Sequence, residues 1–142
     1  MASADEQAAV EPLGRILIVD DQPDVTDVVS MYFTIAGYEV VSANSGSAAL
    51  LLAETRRFDV VLLDIIMPGM DGVSVLHHMR LRWPDRPVIM LTAVADLERA
   101  RGTLHSGAFD YVAKPFDLDH LHRCVAAAIS RKVPRDAYRA IA

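Results

Sequence analysis

The chain contains a single cysteine, Cys124, so an internal disulfide is excluded. The residue reads as an ordinary, partly buried thiol on a helix in a reducing compartment. An excess of positive charge is also lacking. The formal net charge is -5 at pH 7, which argues against direct nucleic-acid binding, because nonspecific affinity comes mainly from phosphate neutralisation by Lys and Arg. No stretch approaches the roughly 18 consecutive apolar residues of a membrane span. The opening segment, MASADEQAAVEPLG, has no basic region followed by an apolar core, so neither insertion nor secretion is expected. A cytoplasmic location without a membrane partner follows as the expectation. Internal repeats and low-complexity segments are absent from the sequence.

What is present is 142 residues, 52% hydrophobic and 23% charged, enough for one domain with a real core and too few for a second. Strand-like and helix-like patterns alternate five times. Strands are expected near Arg15–Val19, Glu39–Ser42, Asp59–Leu63, Pro87–Leu91 and Asp110–Val112. The first helix is expected from Pro23 to Ala36, with Val25, Val28, Val29 and Tyr32 as its apolar stripe and Gly37 as its stop. The second follows Ser45 as N-cap and buries Ala48, Leu51 and Leu52. The third covers about Val73–Arg82, the fourth Asp96–His105, and the fifth follows Asp117 as N-cap and buries Leu118, Leu121, Val125 and Ala128. Such alternation implies right-handed crossovers and a parallel sheet covered on both faces. The expected division is a lead-in over residues 1–14, one domain over 15–131, and a basic tail over 132–142, too short for an output domain.

The loop after the first strand, Asp20-Asp21-Gln22-Pro23-Asp24, lacks glycine. A nucleotide-binding fold needs glycines there so that backbone N–H groups can approach phosphate, whereas acids repel an anion and attract a cation. Asp64 closes the third apolar run and opens DIIMPGMDG, in which Pro68, Gly69, Asp71 and Gly72 shape the turn into the next helix. Carboxylates gathered at strand ends raise one another's pKa unless a cation sits among them, and a hard divalent ion such as Mg²⁺ favours oxygen ligands. Thr92 follows the fourth strand and Lys114-Pro115 the fifth. Carboxylate nucleophile, acidic metal site, hydroxyl and ammonium together make a complete set for phosphoryl transfer.

With these residues in this order, the segment from about Arg15 to Arg131 resembles the receiver domain of two-component response regulators. The resemblance implies a flavodoxin-like, doubly wound α/β fold, with five helices and a five-stranded parallel sheet of order 2-1-3-4-5. It implies that Asp64 accepts a phosphoryl group from a histidine kinase or phosphotransfer protein. Asp21, Asp64 and the backbone carbonyl of Ile66 are implied to bind Mg²⁺ directly, and Asp20 through water. Thr92 is implied to hydrogen-bond the phosphoryl group, Lys114 to pair first with Asp64 and then with a phosphoryl oxygen, and the Lys114–Pro115 bond to be cis. Tyr111 matches the aromatic switch position. Phosphorylation is then expected to change the face built from the fourth helix, fifth strand and fifth helix, favouring a homodimer or another partner. Ile66 and Val94 match the positions that flank the path of hydrolytic water. GAFDYVAKPFDLDHL resembles receivers of nitrogen-regulator-type transcription factors.

Two rival readings belong to other classes. A metal-dependent phosphohydrolase with an aspartyl nucleophile places a second acid two positions later, where this chain has Ile66. A flavodoxin-like cofactor binder is opposed by the acidic first loop. The chain is therefore expected to assist its own phosphorylation and dephosphorylation rather than to turn over external substrates. The five histidines, His77, His78, His105, His120 and His122, are read as lying mostly at solvent-facing helix positions and not as metal ligands or phosphodonors. Arg99–Arg101 is either a partner surface or a solvated helix face.

Overall fold

The structure, a computed structural model, describes residues 11–131; most of the lead-in and the tail over 132–142 lie outside the described residues. Five strands form one parallel sheet: β1 (Arg15–Val19), β2 (Glu39–Ala43), β3 (Val60–Asp64), β4 (Val88–Ala93) and β5 (Asp110–Lys114). Their order is β2-β1-β3-β4-β5. The connecting helices are α1 (Pro23–Ile35), α2 (Gly46–Thr55), α3 (Gly72–Arg82), α4 (Leu97–Thr103) and α5 (Leu118–Ser130). No described helix is long and apolar enough to cross a membrane.

Both faces of the sheet are covered, and the period-2 alternation of each strand feeds two cores. Leu17, Val19, Val61, Leu63, Val88 and Met90 pack with Ala49, Val75, Leu76 and Met79 of α2 and α3 and Ala100 of α4. Ile16, Ile18, Val60, Leu62, Ile89 and Leu91 pack with Val29 and Phe33 of α1 and with Leu121 and Val125 of α5. Because every strand is parallel, the carboxyl ends of β1, β3, β4 and β5 share one edge of the sheet.

Several element boundaries and buried faces differ from the sequence reading. On α1 the buried residues are Thr26, Val29 and Phe33, while Val28 is 56% exposed: the stripe turns about one residue toward Phe33, which fills the core. On α2 the small residues Ala49 and Ala53 face inward, letting the helix approach the sheet, and Leu51 is exposed. β4 and β5 extend two residues further than expected because their ladder continues through Thr92↔Ala113 and Ala93↔Lys114. The fourth helix is split, with a 3-10 turn over Val94–Asp96 and only seven residues of α-helix. Bonds of i→i+3 type at Leu104, His105 and Ser106 then tighten its end.

His122 is the exception among the five histidines. It lies half-buried between α1 and α5, its ring edge-on to Tyr32, Phe33 and Tyr38 and its nitrogens 3.4 and 3.3 Å from the Tyr32 and Tyr38 hydroxyls. The other four histidines are exposed.

Candidate functional site

β1 and β3 run side by side, Val19 against Leu63, so the residues that follow, Asp20 and Asp64, emerge together at the sheet edge. Asp21 comes next in the loop. Carboxylate oxygens of Asp20, Asp21 and Asp64 lie within 4.8 Å of one another. Asp20 is fully buried and Asp64 nearly so, while Asp21 is half-buried.

Asp20 is held on three sides. Its Oδ1 accepts from the Gln22 N–H at 2.9 Å, its backbone carbonyl accepts from Asn44 Nδ2 at 3.1 Å, and its Oδ2 accepts from Lys114 Nζ at 2.6 Å. Lys114 Nζ is 3.5 Å from Asp64 Oδ2. The ammonium thus bridges both acids but sits closer to Asp20, whereas the sequence reading paired it with Asp64 alone. The cause is the buried, unexposed Asp20 carboxylate, which has no other cation in reach among the described residues. Asn44 was missed by the sequence reading. Its signal was its place just past the end of β2, at the same sheet edge as the acids.

The Asp64 carboxyl titrates at about 6, well above the usual carboxylate range. Burial is the main cause and the neighbouring Asp20 charge the second, with Lys114 and the Ile66 N–H pulling in the opposite direction. A cation among the three acids relieves this strain, so the donor set fits a hard divalent ion on its own chemistry. The loop after β3 is positioned by close packing: Gly72 donates its N–H to Ile65 at 2.8 Å, and a Cβ there would lie 2.1 Å from the Asp64 carbonyl oxygen. Asp71 then caps α3 through the Ser74 N–H.

Thr92 is buried on β4, beside β3, with its hydroxyl donating to the Ala93 carbonyl at 3.0 Å. The Lys114–Pro115 bond is cis. Tyr111 is half-buried on β5 beside Arg101 of α4, and it and Glu98 raise the guanidinium pKa. Arg99 pairs with Asp71 at 2.8 Å, tying α4 to the start of α3, and both Arg99 and Arg101 are exposed. Ile66, two residues after Asp64, is 47% exposed, and Val94, two residues after Thr92, is 63% exposed. An apolar groove of about 480 Å³ adjoins it, lined by Val25, Val28, Lys114, Pro115 and Phe116 among others.

A family model described as the response regulator receiver domain matches residues 16–126. The chain is 48% identical over 117 residues to the regulatory protein AtoC of Escherichia coli, covering 82% of this chain and 25% of that one. It is 41% identical over 128 residues to the DNA-binding transcriptional regulator NtrC of Klebsiella pneumoniae, covering 87% and 27%. The chain therefore spans about a quarter of the length of these relatives. Among solved structures, a receiver domain protein from Clostridium thermocellum superposes with TM-score 0.80 at 33% identity, covering 84% and 97% of the two chains. The receiver domain of NtrX from Brucella abortus gives TM-score 0.80 at 31% identity, covering 82% and 99%.

Proposed function

This chain belongs to the response regulator receiver domain family, a phosphorylation-dependent signalling switch, and from that premise we propose that Asp64 is its phosphoacceptor. The observation that carries the assignment is the convergence of Lys114, Asp20 and Asp21 on one buried carboxylate whose proton affinity is raised. An Asp64 carboxylate oxygen attacks phosphorus in a phosphohistidine or in acetyl phosphate. The P–O bond to Asp64 forms as the bond to the donor breaks, and the electron pair leaves on the imidazole nitrogen or the acetate oxygen.

Asp21, Asp64 and the Ile66 carbonyl would hold Mg²⁺ directly and Asp20 through water, the ion supplying charge neutralisation for the phosphoryl oxygens. Lys114 moves from its carboxylate partners to a phosphoryl oxygen, adding a charge-assisted hydrogen bond. Thr92 turns its hydroxyl from the Ala93 carbonyl toward the phosphoryl group, and the space it leaves admits the Tyr111 ring. That movement breaks the Tyr111–Arg101 contact and alters the face formed by α4, β5 and α5, favouring a homodimer or another partner. No acid stands at Ile66 to activate water for an external phosphoester, so the phosphohydrolase reading is not favoured.

The donor is a histidine kinase or phosphotransfer protein, working in the cytoplasm and docking over the apolar groove beside Lys114. Domain limits of 15–131 follow from the same reading, with residues 132–142 as tail or linker. The switch is tested by amide exchange and sedimentation with and without beryllofluoride, a phosphoryl mimic. Changed exchange at Thr92, Tyr111 and α4 is expected; an unchanged face together with an unchanged association state contradicts the switch.

A further inference from the structure

The edge of the sheet opposite Asp64 carries a pocket unrelated to the acidic site. It lies where the chain enters β3 and β4 and where α5 ends, with a volume of about 370 Å³. Four arginines line it, Arg57, Arg82, Arg86 and Arg131, against two acids, Asp59 and Asp85. On a chain of net charge -5 this is a local reversal of sign.

The two acids make no ion pair with these cations and offset them only in part. Asp59 Oδ2 accepts the Arg15 backbone N–H at 2.8 Å, and among the described residues only Arg82 of the four has a carboxylate within ion-pair distance, Glu54. Arg86 is half-buried, donates to the Ala53 carbonyl at 2.9 Å, and its charged form is disfavoured by burial and by the charge of Arg57, which outweigh the opposing charge of Asp59. Three of the four guanidinium groups are also fixed in advance. Arg82 and Arg86 lie over the Trp83 ring at 5.0 and 4.9 Å from its centroid, and Arg131 over Phe109 at 5.5 Å. Ordered, under-neutralised guanidinium forks in a concave site match phosphate oxygens, and little further side-chain freedom is lost on binding.

We propose that this pocket binds a compact phosphate-bearing anion, with Arg57, Arg86 and Arg131 as its ligands. A compact anion is favoured over a nucleotide because the Trp83 ring, the aromatic surface a base would stack on, is already covered by arginines. The inference does not depend on the role of Asp64.

Trp83 is the single tryptophan, so its fluorescence reports binding directly. Inorganic pyrophosphate is titrated into the full chain without Mg²⁺ at constant ionic strength, beside matched titrations of chloride and adenosine monophosphate. The expected result is a saturable change with pyrophosphate and none with chloride, and adenosine monophosphate no tighter than pyrophosphate. Arg57→Gln, at an exposed position, and Arg131→Gln should each weaken pyrophosphate binding by about tenfold, with phosphorylation by acetyl phosphate unchanged in Arg57→Gln. The absence of a saturable change, affinity unchanged from wild type in both variants, or tighter binding of the nucleotide than of pyrophosphate would overturn the proposal.

Discussion

At Asp64 the burial that strips water from the proposed phosphoacceptor also makes its charge costly. Its carboxyl titrates at about 6 in the folded chain against 3.8 for the ordinary group. Above pH 6 both folded and unfolded states are ionised, and the folded state carries a penalty on the order of 2 to 3 kcal/mol. As pH falls from 6 toward 3.8, the folded state takes up a proton before the unfolded state does, so stability gains. Without Mg²⁺, Asp64→Asn should therefore be more stable than wild type by about 1 to 2 kcal/mol at pH 8, with a gap that closes toward pH 4.5. Urea unfolding in chelator measures this; a gap that is absent at pH 8, or constant with pH, contradicts it. Ile66 and Val94 are apolar and can neither orient nor deprotonate water, so they should prolong the phosphorylated state. Decay of the phosphorylated chain at fixed Mg²⁺ should be faster by about tenfold in Ile66→Asn, and equal or slower decay would show that Ile66 does not limit water. The acids were legible because each ends an apolar strand. The nearer pairing of Lys114 with Asp20 was not, since it depends on which of two carboxylates, 94 and 50 residues away in sequence, packing leaves without another cation.

Among the elements, α1 carries a pattern the core does not use. Val28, Met31 and Ile35 are 56%, 67% and 80% exposed, and Val28 lines the groove that reaches Lys114. Apolar residues bordering a phosphoryl-transfer site suit a protein donor, which needs contact area, more than acetyl phosphate, which does not. Val28→Asp should lower transfer from a phosphorylated kinase by about tenfold and leave modification by acetyl phosphate within twofold, as measured by the rate of phosphoprotein formation with each donor. Equal losses with both donors would assign Val28 to the fold instead. Periodicity located α1 correctly but spread its stripe to Val28, because valines at three- and four-residue spacing look alike until Phe33 is seen to fill the core. In α4 the sequence concealed the 3-10 turn: Val94–Asp96 has no glycine or proline to mark a change of pitch. Gly102 and Thr103, near the end of the helix, are the only local hints of its early stop.

Across the whole molecule, parallel strands bring residues 20, 64, 92 and 114 to one edge although they are spread along most of the chain. That arrangement was legible, since strand-helix alternation fixes parallel pairing and parallel pairing fixes which ends meet. The opposite edge was not, because a net charge of -5 averages away the arginines around Trp83, whose nearness to Arg57 and Arg131 is created only by folding. The two edges divide the chain into an acidic end suited to a cation and a phosphoryl group and a basic end suited to an anion. The claim on which the signalling account rests is that one carboxylate, Asp64, takes the phosphoryl group. Its most direct test is the intact mass of wild type and Asp64→Asn after incubation with acetyl phosphate, each with Mg²⁺ and with chelator. Wild type with Mg²⁺ should gain the mass of one phosphoryl group, and the other three samples should gain none; equal modification of Asp64→Asn, or of wild type in chelator, would contradict the account.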